Sequence, residues 1–294
     1  MVGALEAIDY MKGRLVEANA ERVAGIETGQ TTVIGVNKFT ATEPSPLIGS
    51  DGGIMVVDPG VEIDQINRLN EWRTTRDAQA VADALEALKS AAQAGDNIMP
   101  ASIVAAKAGV PTGEWSSVMR QVHGQYRGPT GVSRAPSNRN EGLEDLRAEV
   151  DAVSDQLGRR LKFLIGKPGL DGHSNGAEQI ACRARDCGMD IAYEGIRLTP
   201  EEIVSAAMAE DVHVIGLSVL SGSHVPLVED VMRRLQEAGL SHIPVMVGGI
   251  IPEEDEPKLK AMGIAAIYTP KDFELNRIMH DLVALVKDEP IAAE

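Results

Sequence analysis

Apolar positions change period once along this chain, near residue 160. Before that point they recur at helical spacing. Leu5, Ile8, Leu15 and Val16 form a stripe on one side of a helix over 2–24, and 61–94 carries a second helical pattern with alternating charge. Shorter helices fit 100–126, and 142–158 reads as a helix leading into the last domain. A short strand is predicted at 31–36, Thr-Thr-Val-Ile-Gly-Val. One lone strand among helices cannot close a core, so the opening segment reads as the end of something larger. Pro, Gly and Ser punctuate 40–60, as in Glu43-Pro44-Ser45-Pro46, and 128–141 is the clearest linker.

From Arg160 onward, strand-length apolar runs alternate with helical segments. Strands are predicted at 161–165, 190–195, 212–219, 244–247 and 265–268. A helix follows each one, beginning near Ser174, after Thr199, running to Gly239, over 252–262 and over 272–287. Thr199-Pro200-Glu201-Glu202 is a helix start with a capping hydroxyl and proline in the first turn. Runs such as Val214-Ile215-Gly216-Leu217 are apolar on both sides, as expected of strands covered on both faces. The expected fold is α/β: a flavodoxin-like five-stranded parallel sheet, order 2-1-3-4-5, preceded by a mainly helical linker and a remnant of another domain. The corresponding divisions are 1–50, 51–158 and 159–294.

Composition narrows the function classes. Hydrophobic residues make up 44% of the 294, enough for a packed core, and the net charge of −16 argues against nucleic acid or an anionic membrane as partner. No apolar run reaches membrane-spanning length, and with Glu6, Asp9, Lys12, Arg14 and Glu17 no secretory h-region is expected in the first twenty residues. Two cysteines, Cys182 and Cys187, stand five apart on different faces of one predicted helix, which suits neither a disulfide nor a metal pair. Sparse cysteine fits a reducing cytoplasm.

In an open parallel sheet, ligands bind beyond the carboxyl ends of the strands, where strand order reverses. Strand one there ends in Gly166-Lys167-Pro168-Gly169-Leu170-Asp171-Gly172-His173-Ser174-Asn175-Gly176. Strand three ends in Ser218-Val219-Leu220-Ser221, strand four in Gly248-Gly249 and strand five in Tyr268-Thr269-Pro270. A neutral imidazole at His173 is a good ligand for cobalt-class metals. Asp171 can accept the other ring proton, fixing the tautomer, and Lys167 can hold Asp171 ionised. Gly176 and Gly248-Gly249 remove side chains where a bulky ligand must pass, and Ser218 offers one hydroxyl in an apolar slot. Such a slot suits a flat heteroaromatic group on a long tail. Asp-x-His-x-x-Gly alone also fits a capped loop with a satisfied histidine, and Gly-Gly alone a simple turn. The convergence at three strand ends is what favours a site. His213, His224 and His123 read as structural or surface residues, and Met246 and Met262 as core.

Asp171-x-His173-x-x-Gly176, then Ser218-x-Leu220, then Gly248-Gly249 resembles the cobalamin-binding signature of coenzyme-dependent mutases and methionine synthase. The resemblance implies that His173 ligates cobalt in place of the cofactor's own dimethylbenzimidazole. It also implies that Asp171 and Lys167 form its relay, that Ser218 contacts the displaced base, and that Gly248 and Gly249 line the nucleotide tail. Gly172, Gly176, Leu220, Ser221, Tyr268 and Thr269 complete the implied cofactor-binding set. Val247-Gly248-Gly249-Ile250-Ile251-Pro252 and Ala266-Ile267-Tyr268-Thr269-Pro270-Lys271-Asp272 look like the acyl-CoA mutases. Ala7-Ile8-Asp9-Tyr10-Met11-Lys12, Gly35-Val36-Asn37 and Asp51-Gly52-Gly53-Ile54-Met55-Val56-Val57-Asp58-Pro59 resemble the barrel end and linker of the ethylmalonyl-CoA and methylmalonyl-CoA mutase family.

That resemblance implies adenosylcobalamin as cofactor and an isomerase of the ethylmalonyl-CoA to methylsuccinyl-CoA type. The implied partners are a catalytic barrel domain or subunit, an acyl-CoA bound by that barrel, a mutase-associated GTPase chaperone and a second copy in a homodimer. A full (β/α)₈ barrel needs about 200 residues or more, and fewer than fifty here match its end. The chain alone is therefore expected to bind cobalamin without isomerising anything. Two rivals stay open: a stand-alone corrinoid carrier or sensor, and the small subunit of a split methylmalonyl-CoA-type mutase. A receiver domain or a flavin binder is disfavoured, since strand one lacks an acidic pair and no hydroxyl-rich loop follows it.

Overall fold

The structure is a computed structural model, and it describes residues 3, 7–40, 58–125, 143–272 and 274–287. The Pro-rich stretch at 43–46, residues 51–57 of the mutase-like text and the linker at 128–141 lie outside the described residues. The chain divides into two compact units, one made of Met1–Ala41 with Arg127–Glu294, the other of Thr42–Tyr126.

The second unit holds helices α2 (Pro59–Thr75), α3 (Ala78–Ala94), α4 (Met99–Ala108) and α5 (Thr112–His123). The single helical pattern predicted at 61–94 is thus two helices. They separate because the Asp77 carboxylate accepts from the backbone N–H groups of Gln79 and Ala80 and starts a new helix. Gly95, in the left-handed region, ends it. Trp72 Nε1 donates to the Gly109 carbonyl at 3.0 Å, and Arg76 forks onto Glu114 at 2.7 and 2.9 Å, tying α2 to the later helices.

The first unit opens with α1 (Ala7–Glu27) and closes on the predicted sheet. α6 (Glu144–Leu157) precedes strands β1 (Lys162–Gly166), β2 (Asp190–Tyr193), β3 (Val214–Val219), β4 (Val245–Gly249) and β5 (Ala266–Tyr268). Between and after them lie α7 (Asn175–Asp186), α8 (Pro200–Glu210), α9 (His224–Glu237), α10 (Glu256–Ala261) and α11 (Leu275–Lys287). Every strand pair is parallel, in the order β2-β1-β3-β4-β5. The Thr199 hydroxyl and Glu202 carboxylate cap each other's backbone at the start of α8.

Strand alternation sorts the core into two layers. Leu164, Ile215, Leu217, Val245 and Val247 pack with α8, α9 and α10. Phe163, Ile165, Val214 and Met246 pack with α6, α7 and α11. Each large apolar side chain so buried stabilises by about 1.5–3 kcal/mol. On this second face the register continues past the packed rows. Gly216 sits beside Ile165 and Met246, and Ser218 beside Gly248, which sits beside Tyr268. The strand predicted at 31–36 is instead a turn, closed by a bridge between Ile34 and Lys38 with Gly35 at positive φ. Asn37 holds it, accepting from Val33 N–H and donating to the carbonyls of Ile26 and Thr31. Among the described residues no strand pairs with this segment, and the side-chain hydrogen bonds of Asn37 hold the local shape.

Candidate functional site

Two features meet at the carboxyl ends of β1, β3, β4 and β5: a polar relay and an apolar cleft. The relay starts at Lys167, which is wholly buried. Its ammonium donates to the Ser218 carbonyl at 3.0 Å and to Ser218 Oγ at 3.1 Å, and lies 3.4 Å from Asp171 Oδ2. Leu220 N–H donates to the same Oδ2 at 3.1 Å. Asp171 Oδ1 accepts from the backbone N–H of His173 at 3.0 Å and lies 2.7 Å from His173 Nδ1. The Asp171 side chain is 4% exposed and that of His173 77% exposed. The relay therefore runs from the sheet's interior to one imidazole standing in the open.

Electrostatics set the protonation states. Burial alone would raise the Asp171 carboxyl, but the His173 backbone and ring, the Leu220 N–H and the Lys167 ammonium together hold it well below the usual carboxylate range. Burial lowers Lys167 from its ordinary value, against the pull of Asp171 and Glu178. An ionised carboxylate only accepts, so His173 Nδ1 carries a proton, and in the neutral ring the lone pair is on Nε2. That is the arrangement of a metal-binding imidazole oriented by a carboxylate.

The cleft encloses about 470 Å³ on the α7 and α11 side of the sheet. Gly176, Ile180, Ser218, Leu220, Gly248 and Tyr268 are among its walls. Its emptiness has a cause in the sequence, because two glycines in its wall, Gly248 on β4 and Gly176 on α7, put no side chain into it. A Cβ on Gly216 would meet the Phe163 ring at 2.7 Å, so that glycine makes room for protein. A Cβ on Gly248 would meet only the Tyr268 carbonyl, 4.0 Å away, and one on Gly176 would meet nothing within 4 Å. Gly249 differs again: its φ is 153° and an added Cβ would fall 1.7 Å from the Val219 carbonyl oxygen. The double glycine thus joins one residue that leaves space for a ligand to one that the backbone requires. Ser218 Oγ accepts from Lys167, which leaves its proton free to donate to an acceptor in the cleft. Tyr268 forms a wall with its hydroxyl tied to Asp281 at 3.0 Å.

Of the residues predicted from sequence, Lys167, Asp171, His173, Ser218 and Leu220 meet in the relay. Gly176, Ser218, Leu220, Gly248, Gly249, Tyr268 and Thr269 line the cleft. Gly172 and Ser221 belong to neither set; Ser221 Oγ pairs with Ser223 Oγ at 2.8 Å. Among the described residues no group of three His, Cys, Asp or Glu gathers as a site for a free ion. One oriented imidazole beside an apolar slot instead fits a metal that arrives in its own macrocycle with a flat heteroaromatic tail.

Comparison with known proteins agrees. Residues 161–273 match the family model described as B12 binding domain, and residues 1–125 the one described as methylmalonyl-CoA mutase. An ethylmalonyl-CoA mutase of Cereibacter sphaeroides is 64% identical over 294 residues, which is 100% of this chain and 45% of that protein. The chain belongs to the ethylmalonyl-CoA and methylmalonyl-CoA mutase family. A second ethylmalonyl-CoA mutase, from Methylorubrum extorquens, is 54% identical over 97% of the chain and 42% of its own length. A methylmalonyl-CoA mutase of Cereibacter sphaeroides is 34% identical over 88% of the chain and 36% of its own length. The chain therefore spans less than half the length of these mutases.

Within this family member the structure adds walls that sequence reading missed. Asn19, Arg22, Val23 and Ile26 of α1 line the cleft, as do Phe163 and Gly216. Phe163 and Gly216 were visible as strand residues, and the alternation with Ser218 was the available signal. For α1 no local signal exists, since it reaches the cleft from more than a hundred residues away in the chain. His224 and His213 are structural, as expected: His224 is buried with Nε2 2.9 Å from Asp255, and His213 Nδ1 accepts from Lys162 N–H at 2.9 Å.

Proposed function

We propose that this chain is the cofactor-holding portion of an adenosylcobalamin-dependent acyl-CoA mutase of the ethylmalonyl-CoA type, with His173 as the residue that would ligate the cobalt. The observation carrying the reading is the buried relay Ser218–Lys167–Asp171 ending on an exposed imidazole beside a cleft left open by Gly176 and Gly248. The identity to ethylmalonyl-CoA mutases supports the choice of that substrate type over methylmalonyl-CoA.

When bound, adenosylcobalamin supplies the homolysable carbon–cobalt bond on which the rearrangement depends. The chain's own residues bind and orient. Asp171 keeps the Nδ1 proton of His173 and leaves Nε2 as donor to the metal, while Lys167 keeps Asp171 anionic. Ser218 would donate to a heteroaromatic nitrogen of the cofactor, and Gly248 and Gly176 would leave room for that group. Gly172, Leu220, Ser221, Gly249, Tyr268 and Thr269 are assigned to the cofactor's surroundings on the same reading. A barrel that binds the acyl-CoA, a GTPase chaperone, a second copy and a cytoplasmic setting belong to the proposal. No helix among the described residues is long and apolar enough to cross a membrane.

The test is a titration with hydroxocobalamin. The wild-type chain shifts the absorption spectrum, and ¹⁵N-histidine labelling changes the nitrogen splitting in the paramagnetic resonance of the reduced cofactor. His173→Ala loses both signatures, and an unaltered spectrum in that variant removes the assignment. The corrinoid-carrier reading draws on the compact helical unit Thr42–Tyr126. Restored mutase turnover on mixing with a barrel-bearing partner decides against it.

A further inference from the structure

The loop that carries His173 is gripped from a second side. Lys12, on α1, donates from Nζ to Ser174 Oγ at 2.7 Å and to Glu178 Oε1 at 2.8 Å. Ser174 is the residue after His173 and the N-cap of α7, yet its hydroxyl makes no cap bond to the helix. It serves as acceptor for the lysine instead. The Glu178 side chain is 1% exposed, and among the described residues Lys12 is the cation within ion-pair distance of it. A buried carboxylate without a partner is costly, so Glu178 draws Lys12 into this position. Two more polar contacts join the same helices farther from the histidine. Gln179 Nε2 donates to the Val16 carbonyl at 2.9 Å, and Arg183 lies 3.6 Å from Glu27.

We propose that Lys12 is a positioning residue for His173. Asp171 holds the ring from the sheet side, and Lys12 holds the next residue and the first turn of α7 from the other. The loop between β1 and α7 is thereby pinned at both ends. Cobalt ligation by the last domain then depends on a lysine from the segment matched by the methylmalonyl-CoA mutase model, 162 residues from its acceptor. This inference rests on the proposal that His173 is the axial ligand.

The experiment uses the whole chain, ¹⁵N-histidine labelled, titrated with hydroxocobalamin and then reduced. Lys12→Met is expected to weaken histidine-ligated binding about tenfold, equivalent to about 1.4 kcal/mol. It is also expected to shift the resonance toward the cofactor's own base as axial nitrogen. Lys12→Arg keeps the wild-type signature. The exchanged pair Lys12→Glu with Glu178→Lys recovers most of what Lys12→Met loses. Ser174→Ala, which strands no buried charge, gives a smaller loss of the same kind and serves if Lys12→Met folds poorly. Arg183→Ala removes an α1–α7 contact away from both the histidine and the cleft and lowers the melting temperature without changing the axial ligand. Wild-type ligation in both Lys12→Met and Ser174→Ala overturns the inference, as does an equal ligand change in Arg183→Ala. A wild-type chain with no histidine splitting fails at the earlier step and takes both proposals with it.

Discussion

Replacing Gly248 by valine separates a residue that leaves room for a ligand from one that leaves room for protein. At Gly248 an added Cβ has only the Tyr268 carbonyl near it, at 4.0 Å, and the rest of the side chain enters the 470 Å³ cleft. Valine suits a strand, so folding stability should change by less than about 0.5 kcal/mol. The bound group loses that space. Overfilling a packed site costs about 1–3 kcal/mol, which corresponds to roughly a 5- to 150-fold weaker hydroxocobalamin affinity. Gly249→Ala is the contrast, because its Cβ would lie 1.7 Å from the Val219 carbonyl oxygen at a φ of 153°. That change should cost stability first, by about 2 kcal/mol or more, and affinity only as a consequence. The assays are an absorbance titration and urea unfolding on the same samples. A Gly248→Val protein that binds as wild type, or that loses stability and affinity in proportion, refutes the claim that the cleft at this position receives the cofactor.

Asp171→Asn should weaken histidine-ligated cobalamin binding about 10- to 100-fold, since the imidazole loses its anionic acceptor; the titration above reads it. Lys167→Met breaks a buried contact with a 4%-exposed carboxylate and should destabilise by about 3 kcal/mol, the low end for such pairs because Asp171 keeps two backbone donors; urea unfolding measures it. Burial raises the Cys182 and Cys187 thiols from 9.0 to about 11, so the folded state holds protons that the unfolded chain releases. Their contribution to stability is therefore complete below pH 9.0 and lost as pH climbs toward about 11. Unfolding midpoints across that window should fall less steeply in Cys182→Ala, and an identical slope contradicts the assignment.

Local rules were enough for the sheet and for the histidine relay. Strand period, covered-face composition and the Thr199 cap depend on neighbours within a few residues, so the five strands could be read from the chain, while their order followed from the flavodoxin-like fold class they suggested. Asp171 and His173 stand two apart, and their 2.7 Å contact is a property of one loop. Where a partner is distant, the letters alone mislead. Residues 31–36 have strand composition but pair with no strand among the described residues, and Asn37 turns them instead. Gly248 and Gly249 are identical in the sequence, yet one faces open space and the other a carbonyl oxygen, because only the stacked neighbours decide what a missing Cβ avoids. The outer wall of the cleft and the grip of Lys12 on Ser174 were invisible for the same reason. Which helix covers the exposed side of a sheet follows from burial of apolar surface and pairing of buried charge across the whole unit, and neither leaves a mark at fixed spacing along the chain.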